Sequence, residues 1–459
     1  MTDHRAAGLT NGYLPAAAFR HIEATAVGVV ELDQPLLPQS PDGRSWEESH
    51  NDGLLLVRLH QQPIAIVHVE GDLSRGLPEE LAAELWRNIA DDILSHVKKF
   101  RCASVPNDFE ALVTGLGSPP GGCPGIRVPD PEMSATVVVP TTGRYEQLGR
   151  CLCSLLAMDR QPVDILVVDN RPATGDALRT IDTIVGDDPR IRYVAEPRPG
   201  SSIARNRGAA ETDAEIVAFT DDDVVIDPHW LDSLLAPFVE SDVSVVTGMV
   251  LPLELQTPAQ KRFEQFAGFS RGISRRSYKF PPDDPTHRVL YPFWGGMFGS
   301  GNSMAFRRAD FVDSGGFDPA LGGGSPAKSG EDIEAMSAAI LRGGTLVYEP
   351  RALCWHAHRK GDDALHQQVF DYGVGLGAVL TKALTHDPRF FGAVVRSVPL
   401  VLRLRWRQRA ARADVLATTW PPGFARLQRE GMLRGPFRYA EGLLRSRRLR
   451  LSDTIRGGR

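Results

Sequence analysis

Ile216-Val217-Ala218-Phe219-Thr220-Asp221-Asp222-Asp223-Val224 is a short apolar run that ends in three consecutive carboxylates. Four apolar residues bounded by polar ones read as a buried strand. Three adjacent carboxylates repel one another by about 1 kcal/mol or more per close pair, so a cation is expected beside them. In extended backbone Asp221 and Asp223 point the same way, an arrangement that suits a ribose and a divalent ion held to a diphosphate. The lesser reading of the triplet alone is an acidic loop capping a helix that begins near Pro228.

Upstream the same rhythm repeats. Thr136 to Val139, Ile165 to Val168 and Ile191 to Val194 are apolar runs, each followed by a helical pattern, and a further helix follows Pro228. The alternation predicts an α/β fold, a doubly wound sheet with right-handed crossovers whose ligands bind beyond the carboxyl ends of the strands. Polar residues stand at those ends: Val139-Pro140-Thr141-Thr142-Gly143-Arg144 after the first run and Val168-Asp169-Asn170 after the second. Acceptors and a cation there can hold a base, a ribose and a phosphate; they also read as ordinary loop polarity, with Asp169 as a helix cap.

Downstream, Ser329-Gly330-Glu331-Asp332-Ile333-Glu334 opens a helical stretch reaching about Arg342. A carboxylate in a first helical turn is stabilised as the anion, and it can act as a general base toward a substrate hydroxyl. Cys354-Trp355-His356-Ala357-His358 follows the β-rich run Thr345 to Tyr348. A neutral imidazole there would complete an Asp-plus-His coordination shell and suit Mn2+ better than Mg2+. The plainer reading is a hydrogen-bonded loop histidine.

Taken in order, these pieces resemble an inverting family 2 glycosyltransferase with the GT-A fold, a nucleotide-diphospho-sugar transferase fold on a Rossmann-like mixed sheet. The resemblance covers roughly Met133 to Lys382 and includes Val139-Pro140-Thr141, Val168-Asp169, Gly200 with Ala204-Arg205-Asn206-Arg207-Gly208, the aspartate triplet, Gly301-Asn302, Glu331-Asp332 and Trp355-His356. It implies that Pro140, Thr141, Arg144 and Asp169 hold the nucleotide, and that Arg205, Asn206, Asp221 and Asp222 lie on the donor side. It further implies that Asp223 and His356 bind a divalent metal, Mn2+ or Mg2+, and that Asp332 is the base. Trp294, Asn302 and Glu331 fall where the family places part of its acceptor pocket, and an indole face stacks on sugar rings. The implied partners are a nucleotide-sugar donor and a glycan or lipid-linked acceptor. A nucleotidyltransferase would more typically carry a Gly-rich loop with Arg and Lys after the first strand. A non-catalytic sugar-nucleotide or glycan-binding protein is the other alternative. The glutamine of a Gln-x-x-Arg-Trp motif is missing from Leu402-Arg403-Leu404-Arg405-Trp406, which disfavours a processive membrane synthase.

The remainder of the chain sets the context. With 459 residues, 42% hydrophobic and 24% charged, the composition excludes global disorder and collagen-like repeats. The five scattered cysteines resemble neither a disulfide framework nor a pair of zinc knuckles, which suggests a reducing compartment. No apolar signal region is found in residues 1–22, so a cytoplasmic location is expected. The stretch Val289 to Phe306 has no charge but holds Pro292, four glycines and Asn302, and reads as a loop-rich site rather than a membrane span. Ala26 to Leu32, Leu54 to His60, Ile64 to Val69 and a helix from Pro78 to Lys99 predict a small α+β N-terminal domain over 1–114. Ten Gly or Pro residues among the eighteen of 115–132 mark a linker, 133–385 the catalytic domain, and 386–459 a helical basic region.

That last region, from Arg396 onward, has sixteen arginines and no lysine against four acidic residues, leaving the tail at +12 and the rest at −17 within a net charge of −5. Basic amphipathic segments bind anionic lipid, so peripheral attachment at the inner face of the cell membrane is expected. Pairing with the acidic body is the competing expectation, and nucleic acid ranks below both because no nucleic-acid motif is present.

Overall fold

The computed structural model describes residues 24–44, 52–70, 78–103, 105–119, 122–126, 129–130, 132–283, 291–293, 296–386 and 423–457. Near the N-terminus β1 (Ala26–Glu31), β2 (Asp52–Leu59) and β3 (Gln62–Glu70) form a small sheet, β1 parallel to β2 and β2 antiparallel to β3. Side chains alternate between its faces. Val30, Leu55, Val57 and Leu59 meet α1 (Pro78–Phe100) through Leu85, Ile93 and Val97, with α2 (Glu110–Thr114) beside them. Val27, Val29, Leu54 and Leu56 point the other way, into the core of the larger sheet. Arg58 crosses the junction to Asp227 at 2.6 Å and is buried with it.

The larger sheet begins with four apolar runs that form parallel strands, β4 (Ala135–Thr141), β5 (Asp164–Asp169), β6 (Ile191–Ala195) and β7 (Ile216–Phe219). Three crossover helices link them: α3 (Tyr145–Leu156), α4 (Asp176–Ile184) and α5 (Ser201–Ala210). Beyond β7 the chain adds β8 (Val224–Ile226), α6 (Trp230–Leu235), β9 (Val243–Pro252), α7 (Pro258–Ala267), β10 (Arg276–Tyr278), β11 (Met304–Arg307), α8 (Arg308–Asp313), α9 (Glu331–Leu341) and β12 (Thr345–His356). The strand order is β10-β12-β9-β11-β7-β4-β5-β6, with β8 on β12. Because β11 runs antiparallel between β7 and β9, the sheet is mixed. The uncharged stretch ending at Phe306 is therefore not loop alone. Its last residues supply a central strand.

Two helices close the fold, α10 (Asp362–His386) and α11 (Phe424–Gly457). Their backbones touch along Gly373, Gly377, Gly431 and Gly435: a Cβ on Gly377 would lie 2.2 Å from the carbonyl oxygen of Met432. Tyr439 of α11 donates to Asp318 at 3.0 Å, which fixes the helix against the body.

Candidate active site

The aspartate triplet follows β7 at the carboxyl edge of the sheet, and two arginines divide it. Arg144, just before α3, pairs with Asp222 through Nη2 and with Asp223 Oδ2 through Nη1 at 2.9 Å. Thr141, the last residue of β4, donates to Asp222 Oδ2 at 2.6 Å. Arg205 on α5 reaches Asp221 Oδ1 at 2.6 Å and Glu331 Oε1 at 2.7 Å, and is only 4% exposed. Burial pushes the Asp221 carboxyl up to about 6, against the pull of Arg205. The cation that three carboxylates demand is thus supplied in part by the protein itself.

Asp332 stands in the first turn of α9. Its Oδ1 accepts from the backbone N–H of Ile333 at 2.8 Å and its Oδ2 from that of Gly301 at 2.9 Å. Burial, and then the neighbouring Glu331 charge, raise its proton affinity above that of an ordinary aspartate. A carboxylate that is oriented by two amides and raised in this way suits proton abstraction.

Asp223 and His356 meet where β12 ends. His356 Nε2 lies 3.5 Å from Asp223 Oδ1, and that oxygen is buried with no hydrogen-bond partner among the described residues. Burial pushes the His356 imidazole down to about 4, so it is neutral near pH 7. Its Nδ1 is 2.8 Å from Nδ1 of His358, whose Nε2 is 2.5 Å from Glu264 Oε1. An orphaned carboxylate oxygen beside a neutral, oriented imidazole fits a divalent cation.

Some of the expected residues are occupied with other work. Both ends of the Asn206 amide are bonded to the backbone of Phe317, at 2.7 and 2.9 Å. Asn302 donates to Asp221 Oδ2 at 3.1 Å and accepts from Ser300, and Glu331 is held by Arg205 and, at 2.9 Å, by Ser201. Asn302 and Glu331 thus help to hold Asp221 and Arg205 in place. Asp169 is buried at the end of β5, with Tyr193 Oη at 3.0 Å and the N–H of Arg171 at 2.8 Å. Pro140 pairs with Val168 in the sheet. Trp294 lies outside the described residues. Sequence reading missed Glu264, Ser201, the bridging of Glu264 to His356 by His358 and the loop Gly322-Gly323-Gly324, whose Gly323 carbonyl accepts from the N–H of Ser201 at 2.8 Å. The glycine run was the available signal.

Residues 136–313 match the model of glycosyl transferase family 2. The chain carries a family 2 glycosyltransferase domain. The match takes in β4 to α8, including the carboxyl-edge aspartates. The chain is 28% identical over 282 residues to a pre-mycofactocin glycosyltransferase of Mycobacterium tuberculosis, covering 61% of this chain and 49% of the relative. It is 25% identical over 234 residues to a glucosyl-dolichyl phosphate glucuronosyltransferase of Haloferax volcanii, covering 49% and 69%. The match thus spans about half the length of the mycobacterial relative. A mannosyltransferase of Pyrobaculum calidifontis, solved with GDP-Man and Mn2+, superposes with a TM-score of 0.43 at 18% identity, covering 69% of this chain and 87% of that one. No helix among the described residues is long and apolar enough to cross a membrane.

Proposed function

We propose that the protein transfers a sugar, with inversion, from a nucleoside-diphosphate sugar to an acceptor hydroxyl. The observation that carries this reading is the pairing of an amide-oriented, proton-hungry Asp332 with the orphaned Asp223 Oδ1 beside neutral His356. Asp332 takes the proton of the acceptor hydroxyl as that oxygen attacks the anomeric carbon from the face opposite the leaving diphosphate. One base is sufficient, and no covalent nucleophile is needed. Asp223 and His356 hold a divalent ion, Mn2+ in preference to Mg2+ because of the imidazole, and when bound it offsets the charge that grows on the diphosphate. Arg144 and Arg205 keep three carboxylates charged and fixed in a small volume, so the site needs little rearrangement on binding donor.

The acceptor in this reading is a glycan or lipid-linked glycan, met by a protein held at the inner membrane face. Support comes from α11, whose outward side shows Leu433, Phe437 and Leu444 flanked by Arg426, Arg447 and Arg448. One relative is, in addition, named for a glucosyl-dolichyl phosphate. Calorimetric titration with UDP-, GDP- and dTDP-sugars, with and without Mn2+, tests the function. Metal-dependent binding of one donor, lost in Asp223→Ala, is expected. Absence of binding by every donor in folded, metal-replete protein would remove the transferase reading.

A further inference from the structure

Far from the aspartate triplet, the small N-terminal sheet brings together His60, His96, Cys102 and Cys123. All four are buried, and one ligand atom from each lies within 4.8 Å of the others. They come from four separate places: the β2–β3 turn, α1, the residue pair after α1, and the Gly/Pro-rich segment. We propose that these residues form a closed tetrahedral zinc site that staples the N-terminal sheet, its helix and the Gly/Pro-rich segment together.

Two thiolates and two imidazoles are the donor set that zinc takes in structural sites, and tetrahedral zinc places such ligand atoms roughly 3.3–3.8 Å apart. Cys123 Sγ and His96 Nε2 already stand 3.8 Å apart. The orientation of His60 is the independent sign. Its Nε2 is 2.7 Å from the carbonyl oxygen of Gly117, whereas its Nδ1 is buried with no hydrogen-bond partner among the described residues. Metal-bound histidines donate their other ring N–H to a carbonyl or carboxylate in this way, leaving the second nitrogen for the ion. Without an ion, that nitrogen would be desolvated and left unmatched, which cores avoid. A Cys102–Cys123 disulfide alone would leave both imidazoles without a purpose in an otherwise apolar cluster. The scattered spacing of the four residues in sequence explains why no zinc motif was legible there. The ligand set is assembled by the fold.

The metal site has a direct test in the full-length chain, untagged and purified without chelator. Elemental analysis is expected to find one zinc per chain, and exchange with Co2+ to give thiolate-to-cobalt charge-transfer absorption. Cys123→Ser should abolish that absorption, whereas Cys153→Ser, at an exposed cysteine outside the cluster, should leave it intact. His60→Cys, which keeps four zinc-compatible ligands, should retain the zinc. The wild-type measurements need no variant, so misfolding of Cys123→Ser cannot shield the proposal. Zinc-free protein without cobalt charge transfer, a Cys102–Cys123 disulfide found by mass spectrometry, or charge transfer undiminished in Cys123→Ser would each overturn it.

Discussion

Replacing Arg205 with methionine removes the cation that joins the two halves of the candidate active site. The side chain is buried and donates to Asp221 at 2.6 Å and to Glu331 at 2.7 Å. Methionine keeps an unbranched, flexible apolar stem and carries no charge, so the loss measured is chiefly that of the guanidinium and its ion pairs. After the change Glu331, which is buried, retains Ser201 at 2.9 Å, and Asp221, which is half-buried, retains Asn302 at 3.1 Å, one neutral donor for each carboxylate. Removing one partner of a buried ion pair costs about 3–5 kcal/mol, because the remaining charge is left uncompensated. The penalty has a pH signature. Asp221 is already raised to about 6 in the intact protein by burial, and without Arg205 it rises further and takes up a proton on mild acidification. Urea unfolding at about pH 7.5 should therefore show the full loss, and at about pH 5.5 a smaller one, since the protonated acid no longer needs the cation. The double variant Arg205→Met, Glu331→Met should recover part of the loss, because a buried pair replaced by apolar groups is often close to neutral. A loss below about 1 kcal/mol for Arg205→Met at the higher pH, or one that grows on acidification, would refute the assignment of Arg205 as the central counter-ion.

Asp332→Asn should reduce donor turnover by about 10²–10⁴-fold, with donor affinity retained, as read by nucleoside diphosphate release and by calorimetry. His356, held near 4 by burial against 6.5 when unfolded, makes the metal-free protein lose stability as pH falls from 6.5 to about 4, because the unfolded chain takes the proton first. The contribution is about 3 kcal/mol, and His356→Asn should flatten that part of the stability–pH curve. Gly377→Val drives a side chain into the Met432 carbonyl, 2.2 Å from the Cβ position, and should lower stability by about 1–3 kcal/mol or more while making α11 open to limited proteolysis.

What could be read from sequence follows the range of the interactions concerned. The four parallel strands were legible because each apolar run is local and the crossover rule orients it. Strand β11 was not, since Met304 to Arg307 is a four-residue run closing a glycine-rich stretch, and only pairing with β7 and β9 makes it a strand. The aspartate triplet showed itself as charge after an apolar run. Its division between Arg144 and Arg205 did not, because the Arg144–Asp222 pair spans 78 positions. Asparagine is ambiguous in sequence, as its amide serves a ligand or a backbone equally well; the bonds of Asn206 to Phe317 and of Asn302 to Asp221 become visible only in the fold. The helical character of the basic tail was readable from residue 424 onward, but not the glycine stripe that docks it, which acts only in the presence of α10.

The position of the proposed base is set from two directions at once. From α5, Arg205 fixes Glu331, the residue immediately before Asp332. From the other side, Ser329 donates to the carbonyl of Asp371 in α10 at 3.1 Å, and Gly330 sits so close to Gly375 that a Cβ would lie 3.1 Å from its carbonyl oxygen. Arg445 of α11 donates to the Gly324 carbonyl at 2.6 Å, in the same loop whose Gly323 meets the start of α5. The loop from Leu321 to Gly330 is thus clamped between α5 and the C-terminal helix pair. The opposite side of α11 carries Leu433 and Phe437, 73% and 78% exposed. A surface gripping those residues would pull on a helix that is closely packed, glycine against glycine, onto the element holding the base loop. Contiguous packing of this kind is the physical means by which occupation of one site can bias another.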